Sequence, residues 1–306
     1  MKFAELGTSG VVASRVALGV MRIHEKSAQE AVDIVNAAVN SGINFFDTAD
    51  CYTDGESSRV LGRALKDAGI DRNSIYLQTK FGIVAGKRYD FSKQHLIDAL
   101  NYELENLGVD YVDFVLLHRP DTLVELDGLA EAFNELYNAG KVRHFGVSNV
   151  NPWQTELLQS AVEQKLEVNQ LQFGLGHTGM IEQEFHVNMR DDSSIDHDGG
   201  SIAYTRLKKM TIQAWSPYQY GFFEGVFIDN PKFPELNAKL EEIATKYHTT
   251  KNAIATAWIL RHPARMQVIL GSMNPERIVQ MAAGADVTLD AQEWYDLYFA
   301  AGNDLP

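Results

Sequence analysis

The sequence predicts an α/β fold, a (β/α)8 TIM barrel preceded by an N-terminal β-hairpin. Eight short apolar runs alternate with amphipathic segments, and eight strand–helix units are the number that closes such a barrel. Each run is continuously apolar, as in parallel strands that are covered on both faces. The chain of 306 residues is 45% hydrophobic and has no linker or low-complexity tract, so we expect a single domain over residues 1–306.

The predicted strands are rich in Val, Ile, Leu and Phe, which fit a buried sheet better than a turn or a solvated helix. In chain order they cover residues 16–18, 43–46, 75–79, 111–117, 144–147, 168–172, 210–215 and 267–270.

Helix signals mark several of the segments between these strands. Ser27 and Ser92 each precede apolar residues at helical spacing, and Gly108 is a typical stop for the second of these helices. Residues 126–137 carry the same spacing. A proline at a favoured first helical position predicts a further helix over residues 152–164.

Two segments are additional to the alternating strands and helices of the barrel. Residues 2–15 predict a β-hairpin around the turn sequence GTSG, before the first barrel strand. Residues 217–235 form a long aromatic loop directly after the seventh strand. Loops of that length in a compact domain are usually functional, so we expect a lid over the site.

Charge and cysteine content exclude several classes of protein. The net charge of −14 argues against nucleic acid or an anionic membrane as the main partner. Cys51 is the only cysteine, so no internal disulfide can form, and the N-terminus lacks the apolar run of a signal peptide. We therefore expect a cytoplasmic protein that acts on a small molecule, without a membrane partner; its oligomeric state is left open.

Polar residues at the predicted strand ends are the candidates for chemistry, because the active site of such a barrel lies at the C-terminal ends of its strands. Asp47 ends the second strand, Tyr52 lies just beyond it, Lys80 ends the third strand and His118 follows the fourth. We expect these four side chains to converge on one rim.

This set of groups suits proton transfer at a carbonyl. A tyrosine is a weak acid at neutral pH, and a neighbouring lysine ammonium is expected to lower its pKa. A carboxylate keeps the lysine charged and positioned, and a neutral histidine donates a hydrogen bond to the substrate oxygen. No metal is needed in this scheme.

Each candidate also has a structural interpretation when it is taken singly. Asp47 is typical of a turn or helix cap, Tyr52 of a half-buried aromatic and His118 of a core histidine. A metal-dependent barrel hydrolase that uses Asp47, His118 and a lysine is an alternative from another class. The pattern G-x-G-x-x-G at residues 174–179 resembles a dinucleotide fingerprint, but no apolar strand follows it at the expected distance, so we interpret it as chance.

Seven motifs in register with the predicted strands resemble the aldo-keto reductases. They are GINFFDTADCY at 42–52, QTKFG at 78–82, LLHRPD at 116–121, GKVRHFGVSN at 140–149, VNQ at 168–170, AWSPY at 214–218 and ILGSMNPERI at 269–278. The resemblance covers nearly the whole chain and is nearest to bacterial oxidoreductases whose fifth strand reads GKVRHFGVSN. It implies a barrel that binds NADP(H) without a Rossmann domain.

The resemblance also implies roles for individual residues. Tyr52 would be the general acid, tuned by Lys80 and Asp47, and His118 would orient the carbonyl. Ser148, Asn149 and Gln170 would bond the nicotinamide carboxamide, and Trp215 would stack on the ring. The remaining implied cofactor contacts are Met21, Asp47, Ser216, Pro217, Tyr218, Gly271, Ser272, Arg277 and Gln280.

The residues expected to bind the adenosine end of the cofactor differ from the family pattern, because many relatives carry a lysine at the position of Gly271. Ser272 and Arg277 remain as ligands for a 2′-phosphate. We therefore expect NADPH to be preferred over NADH, by a smaller margin than in lysine-bearing members.

The sequence thus predicts an NADPH-dependent reductase of aldehydes or ketones. The alternative within this fold is a nicotinamide-binding regulatory protein, similar to channel β-subunits, with little turnover. The substrate is left open; the loop residues Met21, His24, Tyr89, Phe222 and Phe223 favour a bulky carbonyl compound.

Overall fold

Eight parallel strands close into a barrel in the computed structural model, which describes residues 1–306. Each strand pairs with its neighbours in chain order, and the eighth pairs with the first. The barrel strands are Val16–Gly19, Phe45–Asp47, Tyr76–Phe81, Val112–Leu117, Val142–Ser148, Leu166–Gln172, Thr211–Trp215 and Gln267–Leu270. The prediction of a (β/α)8 barrel is confirmed.

The second barrel strand starts two residues later than predicted, for a reason visible in its contacts. The Asn44 side-chain oxygen accepts a hydrogen bond from the Ser14 backbone amide at 2.8 Å. The Asn44 backbone amide donates to the Ser14 hydroxyl at 3.1 Å. Asn44 is therefore used to attach the N-terminal hairpin, and the ladder begins at Phe45.

Helices lie between the strands and cover the outside of the barrel. Their bounds are Ala28–Asn40, Glu56–Asp67, Lys93–Leu107, Leu126–Asn138, Pro152–Gln159, Gly179–Phe185, Ser201–Lys208, Pro234–Lys246, Lys251–Arg261, Pro275–Ala283 and Ala291–Ala300. Their apolar faces pack with the outer faces of the strands into one continuous core. No helix combines the length and the apolar character that crossing a membrane requires.

The predicted helix signals act as expected at most ends. Ser27 forms a reciprocal capping box with Glu30, and Gly108 ends its helix in the left-handed conformation at φ 67°. The helix that begins at Pro152 is shorter than predicted. The Gln159 side chain donates to the carbonyls of Val162 and Gln164, and these contacts replace the continued helix by a turn.

The N-terminal hairpin pairs Phe3–Glu5 with Val12–Ser14 and closes one end of the barrel. Its turn is bonded to barrel strands: the Gly7 amide donates to the Thr211 hydroxyl at 2.9 Å and the Thr8 amide to Glu167 at 2.6 Å. A Cβ at position 7 would collide with Glu167, so only glycine fits there. The hairpin leaves the opposite, C-terminal end of the barrel as the accessible one.

The barrel interior contains a polar layer that the strand assignments did not anticipate. Four glutamines from four strands point inward and bond to one another: Gln78, Gln170, Gln213 and Gln267. All four are buried. The chain of amides ends at Ser14 on the hairpin side and at Asp47 on the open side, so it ties the closed end of the barrel to the rim.

Candidate active site

A cavity of about 350 Å³ opens at the C-terminal ends of the barrel strands. Its lining contains Tyr52, His118 and twelve of the thirteen predicted cofactor residues. Gln280 is the exception: its side chain bonds to Asn252 and Glu276 on the helical layer. The predicted residues thus come together on one rim, as the barrel topology requires.

Lys80 and Asp47 form a buried ion pair at the bottom of the cavity, where Asp47 is part of the lining. The Lys80 ammonium lies 2.8 Å from Asp47 Oδ2 and donates to the Thr48 carbonyl at 2.7 Å, and its side chain has no solvent exposure. Burial alone would lower the pKa of Lys80, but the charge of Asp47 and the hydrogen bonds to Asp47 and Tyr52 outweigh it and raise the pKa. Lys80 is therefore a fixed cation at neutral pH.

The second oxygen of Asp47 is held by the glutamine layer. Gln78 donates to Oδ1 at 2.7 Å and Gln170 donates to it at 3.1 Å. Both Asp47 oxygens thus have partners, which is the condition for keeping a carboxylate in a buried site. Gln78 and Gln213 were missed by the sequence reasoning; their signal is a glutamine in the middle of an otherwise apolar strand.

Tyr52 places its phenol beside this ion pair. The Tyr52 oxygen lies 3.4 Å from the Lys80 ammonium, which is also 5.0 Å from the centre of the ring. Burial raises the pKa of Tyr52, with the Lys80 charge opposing it. The net direction is opposite to the expected lowering, because desolvation of the phenolate outweighs the attraction of the ammonium. Tyr52 is a neutral phenol at pH 7, able to donate a proton.

His118 meets Tyr52 edge to face, with ring centres 5.8 Å apart at 80°. Burial, followed by the positive charges of Lys80 and Arg119, holds the pKa of His118 well below its usual 6.5. Nδ1 of His118 lies 3.6 Å from Cys51 Sγ, and Nε2 has no protein partner. The imidazole is therefore neutral and presents one free nitrogen to the cavity.

Two further acids lie close to this group. Burial and then the Glu103 carboxylate raise the pKa of Asp50 to about 7, and burial also raises the pKa of Glu103. Asp50, Cys51 and His118 hold potential metal-ligating atoms within 4.8 Å of one another. In the alternative metal set of Asp47, His118 and a lysine, Asp47 is instead paired with the Lys80 ammonium.

A connected set of amides and hydroxyls lines the next part of the cavity. The Trp215 indole donates to Asn149 at 3.1 Å, Asn149 donates to the Ser148 hydroxyl at 2.8 Å, and that hydroxyl donates to the Gln170 carbonyl at 3.0 Å. Asn149 at φ 56° and Ser216 at φ 48° adopt left-handed backbone conformations. Such strained positions cluster at binding sites.

The predicted lid is more ordered than a long loop. Gln219–Tyr220 pairs with Gly225–Val226 in a small hairpin, and Phe227 is fully buried beneath it. Phe222 and Phe223 at the tip are exposed, and Phe223 stacks near Trp215 with ring centres 6.2 Å apart. The anchored base and exposed tip fit a cover over the cavity.

The G-x-G-x-x-G sequence has a packing role. A Cβ at Gly174 would collide with the Pro217 carbonyl, and one at Gly176 would lie 2.6 Å from the Gln219 carbonyl. These glycines let the segment after the sixth strand pack against the loop after the seventh.

Two arginines in the cavity were missed by the sequence reasoning. Arg22 follows the first strand and donates to the Gly271 carbonyl at 2.9 Å, across the junction with the eighth strand. Arg119 directly follows His118 and lies over Trp215. Their position just beyond strand ends was the available signal. Of the other predicted loop residues, Met21 and Phe223 line this cavity, whereas His24 and Tyr89 do not.

Known proteins resemble this chain over nearly its full length. A 6-dehydroglucose reductase of Agrobacterium fabrum is 33% identical over 94% of both chains, and an uncharacterized oxidoreductase of Bacillus subtilis is 33% identical over 96% of both. An aldo-keto reductase of Klebsiella pneumoniae, solved in complex with NADPH, has the same fold at 24% identity, with a TM-score of 0.76 over 97% of this chain and 94% of that one. The sequence model of the aldo/keto reductase family matches residues 15–298, and the chain belongs to that family of oxidoreductases.

Proposed function

We propose that this protein is an NADPH-dependent reductase of aldehydes or ketones, working as one unit over residues 1–306. The observation that carries the proposal is the pairing of Tyr52 and His118 in the cavity, above the buried Lys80–Asp47 ion pair. A neutral phenol and a neutral imidazole side by side can both donate hydrogen bonds to one carbonyl oxygen.

Tyr52 is the proton donor in this proposal. As the carbonyl carbon accepts a hydride, negative charge develops on the oxygen, and the phenol proton moves from Tyr52 to that oxygen. The Lys80 ammonium, 3.4 Å from the phenol oxygen, stabilises the phenolate that remains. Asp47 keeps Lys80 in place, and Nε2 of His118 orients the carbonyl.

The cavity walls fit a dinucleotide, which supplies the hydride when it is bound. Ser148, Asn149 and Gln170 present amide and hydroxyl groups suited to a carboxamide, and the Gln170 side-chain oxygen has no protein donor. Trp215 offers an indole face for a flat ring. Met21 and the segment 216–218 line the adjoining wall. Tyr218 contributes its ring and backbone, because its hydroxyl is bonded to Thr256.

Preference for a 2′-phosphate is assigned to the end of the cavity near the eighth strand. Gly271, Ser272 and Arg277 line that end. Arg277 forms no ion pair in the structure and is free to bind a phosphate. The Klebsiella relative with the same fold was solved with NADPH, which agrees with this choice. Gln280 lies outside the lining, so we assign it no contact.

The test is a titration of the protein with NADPH and with NADH, following tryptophan fluorescence, and then turnover of a carbonyl panel. We expect strong quenching, tighter NADPH binding, and reduction of at least one aldehyde. In Tyr52→Phe, cofactor binding should persist while turnover falls by about 10²–10⁴-fold, the usual effect of losing a general acid. A variant with a near-normal rate would overturn the role of Tyr52.

The alternative is a nicotinamide-binding regulatory protein without turnover. It predicts tight cofactor binding with no reduction of any carbonyl, so the same panel separates the two functions. Failure to bind either nucleotide would overturn both.

A further inference from the structure

We propose that Arg119 makes the site selective for carbonyl compounds that carry a carboxylate, an inference that rests on the reductase function proposed above. Arg119 follows His118 at the end of the fourth barrel strand and lines the cavity that contains Tyr52. It also lines a neighbouring cavity of about 610 Å³, on whose wall Trp215 lies as well. Arg119 thus lies between the cavity that contains Tyr52 and His118 and a second cavity that could hold the rest of a substrate.

Arg119 has no anionic partner within the protein. Its side chain makes no hydrogen bond or ion pair, although the chain contains 41 acidic residues against 27 basic ones. The guanidinium carbon lies 5.9 Å from the centre of the Trp215 ring. That attraction positions a cation but leaves its charge and its donors free.

The carboxylates that line the two cavities are already engaged. Asp47 is paired with Lys80 at 2.8 Å. Asp198, in the neighbouring cavity, accepts hydrogen bonds from Gln183 at 2.6 Å and from the amides of Gly200 and Ser201, both at 3.0 Å. Neither carboxylate is bonded to Arg119, so the guanidinium donors are free for a ligand in the substrate region.

A substrate carboxylate is the group that best matches this arrangement. A guanidinium presents parallel N–H donors that pair with both oxygens of a carboxylate, and such charge-assisted bonds are stronger than bonds to neutral oxygens. The carbonyl end of the substrate reaches Tyr52 and His118 while its carboxylate faces Arg119. The carboxylate does not react, so the balance of the reduction is unchanged. This charge adds a carboxylate contact to the bulky carbonyl compound that the loop residues favour.

The experiment compares two pairs of aldehydes that differ only in charge: 3- and 4-carboxybenzaldehyde against 3- and 4-carbamoylbenzaldehyde. We expect kcat/KM to favour one carboxylate over its amide by about ten- to a hundredfold, the usual range for a hydrogen bond to a charged group. Within Arg119→Gln the ratio of carboxylate to amide kcat/KM should fall to about one, whatever the absolute rate of the variant, and Arg119→Lys should keep part of the preference. Arg63→Gln, at an exposed helix position, removes the same charge and should change nothing.

An unchanged preference for the carboxylate in Arg119→Gln would overturn the proposal. A preference of the wild type for the neutral amides, or for another uncharged aldehyde such as glyceraldehyde, would also overturn it. Reduction of neutral aldehydes in those cases would leave the reductase function standing. If no aldehyde were reduced, the reductase function would fail instead. Carboxylate recognition would then be judged by tryptophan quenching with benzoate, and equal benzoate affinity in wild type and Arg119→Gln would overturn it.

Discussion

The ammonium of Lys80 lies 2.8 Å from Asp47 Oδ2, where the Lys80 side chain is fully buried and that of Asp47 is 4% exposed. Neither charge can be hydrated, so each depends on the other. Lys80 also donates to the Thr48 carbonyl, and Asp47 accepts hydrogen bonds from Gln78 and Gln170. A buried pair of this kind contributes little net stability compared with apolar residues, but removing one partner is costly. Stability alone therefore gives little reason for a buried ion pair at this position.

Lys80→Met should lower both activity and stability. The substitution leaves the Asp47 carboxylate buried without a cation, which costs about 3–5 kcal/mol in comparable cases. The double variant Lys80→Met/Asp47→Asn removes both charges, so it should regain most of the unfolding free energy in urea but none of the turnover. Equal stability of the single and double variants would show that Asp47 does not depend on Lys80.

Cys51→Ala should lower kcat with little change in KM. The thiol is the only protein group within hydrogen-bonding distance of Nδ1 of His118, and burial followed by Asp50 raises the pKa of Cys51 to about 12, so it remains a donor. An S–H bond to Nδ1 leaves the proton of the neutral imidazole on Nε2, where it meets the carbonyl. We expect a severalfold loss of kcat.

Cys51→Ser is the matched control for this role, because a hydroxyl can also donate to Nδ1. It should retain more of kcat than Cys51→Ala does. If the alanine and serine variants had the same kcat, the contact would be packing alone.

Asp50→Asn should change how stability depends on pH. The pKa of Asp50 is about 7 in the folded protein, against about 4 in an unfolded chain. Between these values the folded state holds the extra proton, so the wild type loses stability as pH rises from 4 to 7. About 3 pKa units correspond to at most about 4 kcal/mol.

The measurement is urea unfolding of wild type and Asp50→Asn at pH 5 and at pH 8. The stability of the variant relative to the wild type should be higher at pH 8 than at pH 5, because most of the pH-dependent loss in the wild type lies between these two values. Because Glu103 is also buried with a raised pKa, the difference between the two proteins is the informative quantity. A difference that does not vary with pH would contradict the assigned protonation of Asp50.

The barrel and most of the rim could be predicted from sequence because both follow from local rules. Continuous apolar runs specify covered strands, and parallel strands bring their C-terminal residues, such as Asp47 and Lys80, to one edge. The glutamine layer could not be predicted in the same way. Gln78 and Gln213 bond across the barrel, and only closure of the sheet brings residues so far apart in sequence together.

The positively charged residues of the cavity were the other feature that could not be predicted from the sequence. Arg22 and Arg119 lie in segments whose path depends on tertiary contacts, and a surface position beyond a strand end is the commoner place for an arginine. Lys80 lowers the pKa of Tyr52 as expected, but burial raises it by more, and the sequence does not show the depth of burial.

Gly174→Ala should weaken the fold and the cofactor site together. Its Cβ would collide with the Pro217 carbonyl, and that carbonyl belongs to a rigid turn next to Ser216, whose backbone is left-handed. The turn must shift, so we expect a loss of about 1–3 kcal/mol in unfolding free energy, the usual cost of overpacking. NADPH affinity should fall as well, since Ser216 to Tyr218 line the cavity.

Gly179→Ala is the matched control, because a Cβ there meets nothing within 4 Å. Gly179 begins a short helix, where alanine should be neutral or mildly stabilising. The two variants separate packing from a true dinucleotide fingerprint, in which the last glycine is also required. Fluorescence titration with NADPH should show a loss for Gly174→Ala alone; equal losses in both variants would mean that residues 174–179 bind the dinucleotide directly.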